Sequence, residues 1–149
     1  MPNTYTQIYI HFVFVVRSRE SLISPEHKEE LQRYMTGILT KKYQKLIAIS
    51  CMPDHTHLFV ATQPDIALSD LARDIKNSSS RFINQQKWMD GKFSWQRGFA
   101  AFSYGHSQLG RVTRYIENQE AHHDQKTLKD EYLELLEKFD VPYDNKYLW

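Results

Sequence analysis

Two short stretches of the chain carry side chains whose types and spacing suit chemistry. The first is Met52-Pro53-Asp54-His55-Thr56-His57. In an extended segment, His55 and His57 point to one face of a strand and Thr56 to the other. Their Cα atoms then lie about 6–7 Å apart, and two imidazoles at that spacing reach one metal ion. Neutral imidazole ligates Zn, Mn, Fe or Co readily, and Mg less willingly. Asp54 is placed to hold a ring N–H as a supporting partner. Two half-exposed histidines on a strand edge would give the same pattern. The second stretch is Arg114-Tyr115-Ile116-Glu117-Asn118-Gln119. On a helix, Tyr115 and Gln119 share a face at i and i+4 while Ile116 packs inward. A phenol beside an amide, with Arg111 and Arg114 adjacent, could meet a phosphate. An amphipathic surface helix with a partly buried tyrosine would look alike.

Other reactive side chains are less informative. His122-His123 lie one turn beyond Gln119, where a solvent-facing helix end is the simpler assignment. His11 sits within an apolar stretch and reads as a hydrogen-bonded core or sheet-face residue. The lone Cys51 excludes an internal disulfide framework and a multi-cysteine zinc module, and it fits a reducing compartment. Nothing around it marks a nucleophile. No glycine-rich phosphate loop, Ser–His–Asp arrangement or paired-carboxylate signature occurs, so no nucleotide cofactor is expected.

Charge is divided along the chain. Residues 1–114 hold 15 Lys+Arg against 9 Asp+Glu, whereas residues 115–149 hold 4 against 9. The net charge of +1 therefore conceals a basic body and an acidic tail. A basic body suits a phosphate-bearing partner, although a solvated surface would carry the same charge. With 149 residues, 41% of them apolar and 13% aromatic, the chain is expected to fold as one domain over 1–149 and not to be disordered. It has no 18-residue apolar run, which argues against a membrane helix. Its first residues have neither the basic nor the apolar region of a signal peptide, so a cytoplasmic protein is expected.

The elements that must position the two stretches follow from patterning. Tyr5 to Arg17 is rich in β-branched and aromatic residues, too apolar on both faces for an exposed strand. It reads as a central strand. Ser24-Pro25-Glu26 signals a helix start, and Leu31, Tyr34, Met35, Ile38 and Leu39 keep helical spacing after it. Lys45–Met52 and His57–Thr62 read as strands joined by a Pro53-Asp54 turn. A helix starting at Asp65 or Ser69 buries Leu68, Leu71, Ile75, Phe82 and Ile83, and a short strand spans Phe99–Tyr104. A tyrosine helix at about 108–123 and an acidic C-terminal helix at about 127–140 complete the chain. The order β-α-β-β-α-β predicts an α+β, ferredoxin-like (split βαβ) fold: a four-stranded antiparallel sheet with helices against one face, plus two C-terminal helices.

Taken together, the two stretches resemble the single-tyrosine HUH transposases of the IS200/IS605 group. His55-Thr56-His57 is followed some 60 residues later by Tyr115-Ile116-Glu117-Asn118-Gln119. Met52-Pro53-Asp54 and Trp95-Gln96-Arg97-Gly98-Phe99-Ala100-Ala101-Phe102-Ser103 add to the likeness, which covers about Tyr5 to His123. Thr56 departs from it, because the middle residue of the histidine pair is usually bulky and apolar in that group. The resemblance implies that Tyr115 is the nucleophile and that His55, His57 and Gln119 hold one divalent ion, Mg²⁺ or Mn²⁺. It also implies a homodimer in which a histidine pair from one subunit meets a tyrosine helix from the other. The implied substrate is single-stranded DNA, folded as a hairpin near each transposon end.

The chemistry is consistent with those roles. A phenol has a reference pKa of about 10, so an unaided tyrosine is a poor nucleophile at neutral pH. A divalent ion on a scissile phosphate withdraws charge and orients its oxygens. A phosphotyrosine conserves the bond energy, so the strand can be rejoined by reversal. Candidate DNA contacts are Arg17, Arg19, Lys76, Arg81, Arg97, Arg111 and Arg114, with base stacking on aromatic side chains. The function expected is a DNA transposase that cuts and rejoins single-stranded DNA. Two other functions fit the residues: a hairpin-binding module without cleavage, and a metal-dependent phosphohydrolase in which water attacks.

Overall fold

A computed structural model describes residues 3–119, 121 and 126–148. Its main elements are β1 (Tyr9–Val15), α1 (Lys28–Lys41), β2 (Lys45–Met52), β3 (His55–Ala61), α2 (Leu68–Gln86) and β4 (Ala100–Tyr104). Then come α3 (Leu109–Glu117), α4 (Leu128–Lys138) and a single-turn α5 (Asn145–Leu148). The strands form one antiparallel sheet in the order β2-β3-β1-β4, as the split βαβ pattern requires.

Strand β1 is apolar on both sides because both sides are covered. Ile10, Phe12 and Phe14 pack with Leu31, Met35 and Leu39 of α1 and with Leu71, Ile75 and Ile83 of α2. Burying a side chain such as Phe12 or Phe14 fully contributes about 2–3 kcal/mol. Val13 and Val15, of opposite parity, meet Leu128, Leu135 and Leu136 of α4 across the other face. On that same face α3 sets Val112 and Ile116 against Ala48 and Phe59. The two C-terminal helices thus take the face that α1 and α2 leave open, α3 over β2 and β3, α4 over β1 and β4.

Local signals mark two of the helix starts. Ser24 makes a turn: its hydroxyl accepts from the Glu26 N–H at 3.1 Å, and regular helix begins at Lys28. Helix α2 starts at Leu68 without a side-chain cap. Within its Ser78-Ser79-Ser80 run, Ser79 is buried and its hydroxyl accepts the Trp95 indole N–H at 3.0 Å. Helix α4 is capped by Thr127, whose hydroxyl accepts from the Asp130 N–H at 3.2 Å. No described helix is long and apolar enough to cross a membrane.

Candidate active site

The histidine pair is presented by a tight hairpin. Met52 pairs with His55 across the two-residue turn Pro53-Asp54, which is pinned from outside. The Val16 N–H donates to the Asp54 carbonyl at 2.9 Å, and the Ile23 N–H donates to the Pro53 carbonyl at 3.0 Å. His55 and His57 project from β3 onto the face covered by α3 and α4. Thr56 points to the opposite face, between its register partners Cys51 and Phe14, and away from the pair. A compact β-branched residue fits that packed site.

Each imidazole is oriented by a different partner. Nδ1 of His55 lies 2.7 Å from the Asp54 carboxylate. Nδ1 of His57 lies 2.7 Å from Nε2 of His11, which projects from the neighbouring strand β1. The opposite nitrogens converge on Glu131 of α4, whose Oε1 is 2.8 Å from His57 Nε2 and 3.9 Å from His55 Nε2. His55, His57 and Glu131 are all buried, and their donor atoms lie within 4.8 Å of one another. Two imidazole nitrogens and a carboxylate oxygen at that separation suit a divalent transition ion or Mn²⁺.

Helix α3 brings the phenol to the same place. The Tyr115 ring stands edge-on to His57 with centroids 6.0 Å apart, and 6.3 Å from His11. Burial, followed by the Glu131 carboxylate, holds its hydroxyl well above the ordinary phenol range, while a hydrogen bond from Gln119 acts the other way. Gln119 is buried one turn on, and its side-chain N–H reaches the Tyr115 carbonyl at 3.4 Å. The Gln119 Oε1 is buried with no hydrogen-bond partner among the described residues. An orphaned amide oxygen beside a His-His-carboxylate cluster is itself a suitable cation ligand. The phenol and both imidazoles meet within the one chain described.

Residues 4–119 match the family described as "Transposase IS200 like". The chain belongs to that family. Among characterised relatives it is similar to the ISDra2 transposase TnpA of Deinococcus radiodurans, with 23% identity over 120 residues. That match covers 76% of this chain and 84% of the relative. A crystal structure of a candidate transposase from D. radiodurans R1 superposes with a TM-score of 0.60 at 22% identity, covering 78% of this chain and 94% of that one. A REP-associated tyrosine transposase bound to a REP hairpin gives 0.60 at 17% identity, covering 81% and 72%. Both share the fold. The family match ends at Gln119, so α4 and Glu131 lie beyond it.

The basic residues of this IS200-like transposase are dispersed. Arg17 and Arg19 are exposed in a 3-10 turn after β1, Arg81 on α2, and Arg97 in the segment leading to β4. Arg111 and Arg114 are exposed on α3. Arg111 lines a cavity of about 260 Å³ between α3 and α4, together with Tyr104, Tyr115, Glu131 and Lys138. Lys76 differs: its ammonium donates to the Gln96 and Gly98 carbonyls, at 2.7 Å each, and so ties α2 to the segment before β4. His122-His123 fall outside the described residues. Sequence reasoning left two residues out of the cluster. His11 reads as core from sequence, and Glu131 as part of an acidic face.

Proposed function

We propose that this transposase cleaves and rejoins single-stranded DNA through a phosphotyrosine formed on Tyr115. The observation that carries the reading is the convergence of the Tyr115 ring with His57, 6.0 Å between centroids, from elements nearly sixty residues apart. His55 and His57 would hold a divalent ion, Mg²⁺ or Mn²⁺, with Gln119 and Glu131 as the nearby oxygen donors. When bound, such an ion draws charge from a scissile phosphate and orients its oxygens. Tyr115 Oη bonds to phosphorus as the P–O3′ bond breaks, leaving a 5′-phosphotyrosine and a 3′-oxyanion that takes one proton from solvent to become the 3′-hydroxyl. The phenolic proton leaves toward the Glu131 carboxylate, to which the phenol is hydrogen-bonded. The reverse transfer rejoins a strand without an external energy source.

The substrate in this reading is a DNA hairpin with a single-stranded flank. The basic balance of residues 1–114 and the hairpin-bound relative support it. Arg17, Arg19, Arg81, Arg97, Arg111 and Arg114 are the proposed contacts, and Lys76 belongs with them only if DNA displaces its two carbonyls. The protein acts as a homodimer in this reading. The decisive experiment incubates wild type and Tyr115→Phe with labelled single-stranded hairpin DNA and Mn²⁺, then resolves the products under denaturing conditions. Wild type should form a protein–DNA adduct. Tyr115→Phe should form none while binding the hairpin within about threefold of wild type, since only one hydroxyl is removed. Cleavage by wild type without any adduct would instead indicate attack by water.

A further inference from the structure

Strand β1 carries a histidine where a purely structural role would favour an apolar residue. His11 is fully buried, opposite Phe59 of β3 and Phe102 of β4. Its Nδ1 has no hydrogen-bond partner among the described residues. Burying an imidazole with one nitrogen unpaired costs free energy that a Leu or Phe at the same site would not incur. The other nitrogen, Nε2, is 2.7 Å from His57 Nδ1, and the two rings lie 5.0 Å apart at 25°.

We propose that His11 is the positioning residue of His57. Its Nε2 accepts the His57 Nδ1–H, which fixes the tautomer that leaves the His57 Nε2 lone pair facing His55 and Glu131. A metal-ligating imidazole almost always donates its second N–H in this way, usually to a carboxylate, a carbonyl or water. His55 follows that habit through Asp54. On the Nδ1 side of His57 the acceptor is a neutral ring from the adjacent strand, held by the β1–β3 register that sets His11 diagonally across from His57. The inference rests on the metal-dependent reading above and adds a residue that does not touch the ion.

Mn²⁺ titration of the full chain by calorimetry tests it, on wild type, His11→Phe, His11→Asn and His11→Gln, with thermal midpoints of the ion-free proteins as the control. A Gln carbonyl can take the place of Nε2, whereas Asn reaches only as far as Nδ1 and Phe offers no acceptor. The Phe and Asn variants should bind Mn²⁺ about 10–100-fold more weakly, and the Gln variant within a few-fold of wild type. Either Phe or Asn binding as tightly as wild type, or Gln losing as much as Phe, overturns the role of His11 while leaving the metal reading intact. Absence of saturable Mn²⁺ binding by wild type overturns both. If His11→Phe does not fold, the comparison of Asn with Gln decides.

Discussion

The Glu131 carboxylate lies 2.8 Å from His57 Nε2, so a helix outside the family match reaches into the middle of the histidine pair. A buried acid is tolerated there because it faces two imidazoles and a phenol. Replacing it by Gln keeps the shape and removes the charge. We predict that Glu131→Gln binds Mn²⁺ at least tenfold more weakly and forms the tyrosine adduct more slowly. Calorimetry and adduct kinetics measure the two effects. Undiminished affinity would remove Glu131 from the donor set.

His57 meets His11, His55, Glu131 and Tyr115. His57→Ala should abolish Mn²⁺-stimulated cleavage and leave hairpin binding within a few-fold of wild type, because binding comes mainly from phosphate contacts. A gel-shift assay beside the cleavage assay separates the two effects. Retained Mn²⁺-stimulated cutting would count against the ligand assignment.

Among the cations, Lys76 and Arg97 should behave oppositely. Lys76 is engaged by two carbonyls, so Lys76→Met should lower the thermal midpoint and change the salt dependence of hairpin binding little. Arg97 is exposed, and Arg97→Ala should reduce the slope of log affinity against log salt by about 1 with little loss of stability. Binding measured from 50 to 300 mM salt gives both slopes. An unchanged slope for Arg97→Ala would take it off the DNA face.

Ser79 is the buried acceptor for the Trp95 indole. In Ser79→Ala that N–H stays buried without its partner, at a cost of about 1–3 kcal/mol. Urea denaturation should show the loss with an unchanged m-value. Wild-type stability in the Ala variant would show that another group accepts the indole proton.

Burial pushes the Cys51 thiol up to about 12, although the Thr56 hydroxyl and Lys28 act in the other direction. The folded state therefore holds this proton where the unfolded chain, with its thiol near the ordinary value of 9.0, gives it up. The resulting stability is complete below pH 9 and is lost as pH rises toward 12, by about 1 kcal/mol per pH unit. Cys51→Ala should show a shallower decline between pH 9 and 11 in urea melts, and native wild type should resist thiol reagents at pH 8. Rapid labelling of the native protein would contradict the burial.

The fold was largely readable from patterning because β1, β2, β3 and β4 each carry short-range signals. The apolar two-faced run of Tyr9–Val15 demanded cover on both sides, and Pro53-Asp54 set the hairpin that aligns His55 with His57. Pairing between distant segments is harder to read. His11 becomes a neighbour of His57 only once β1 is known to lie beside β3 in this register. Glu131 did carry a local clue: it falls three residues after Leu128 and four before Leu135, the buried phase of α4. A lone acid at that phase points to a buried partner. Composition had masked it, since the helix is acidic elsewhere. Tyr34 shows the converse, with helical spacing placing it inward while it lies 37% exposed and stacks on Phe82.

The placement of α4 bears on how the protein can be shortened. A fragment trimmed just after Gln119 would keep every recognisable motif, including the tyrosine and both histidines. It would also strip the roof from Val13, Val15, Ala100 and Phe102, leaving a bare oily ledge along half the sheet. Such a fragment should clump in solution, and its lost activity would report exposed grease together with the missing Glu131 carboxylate.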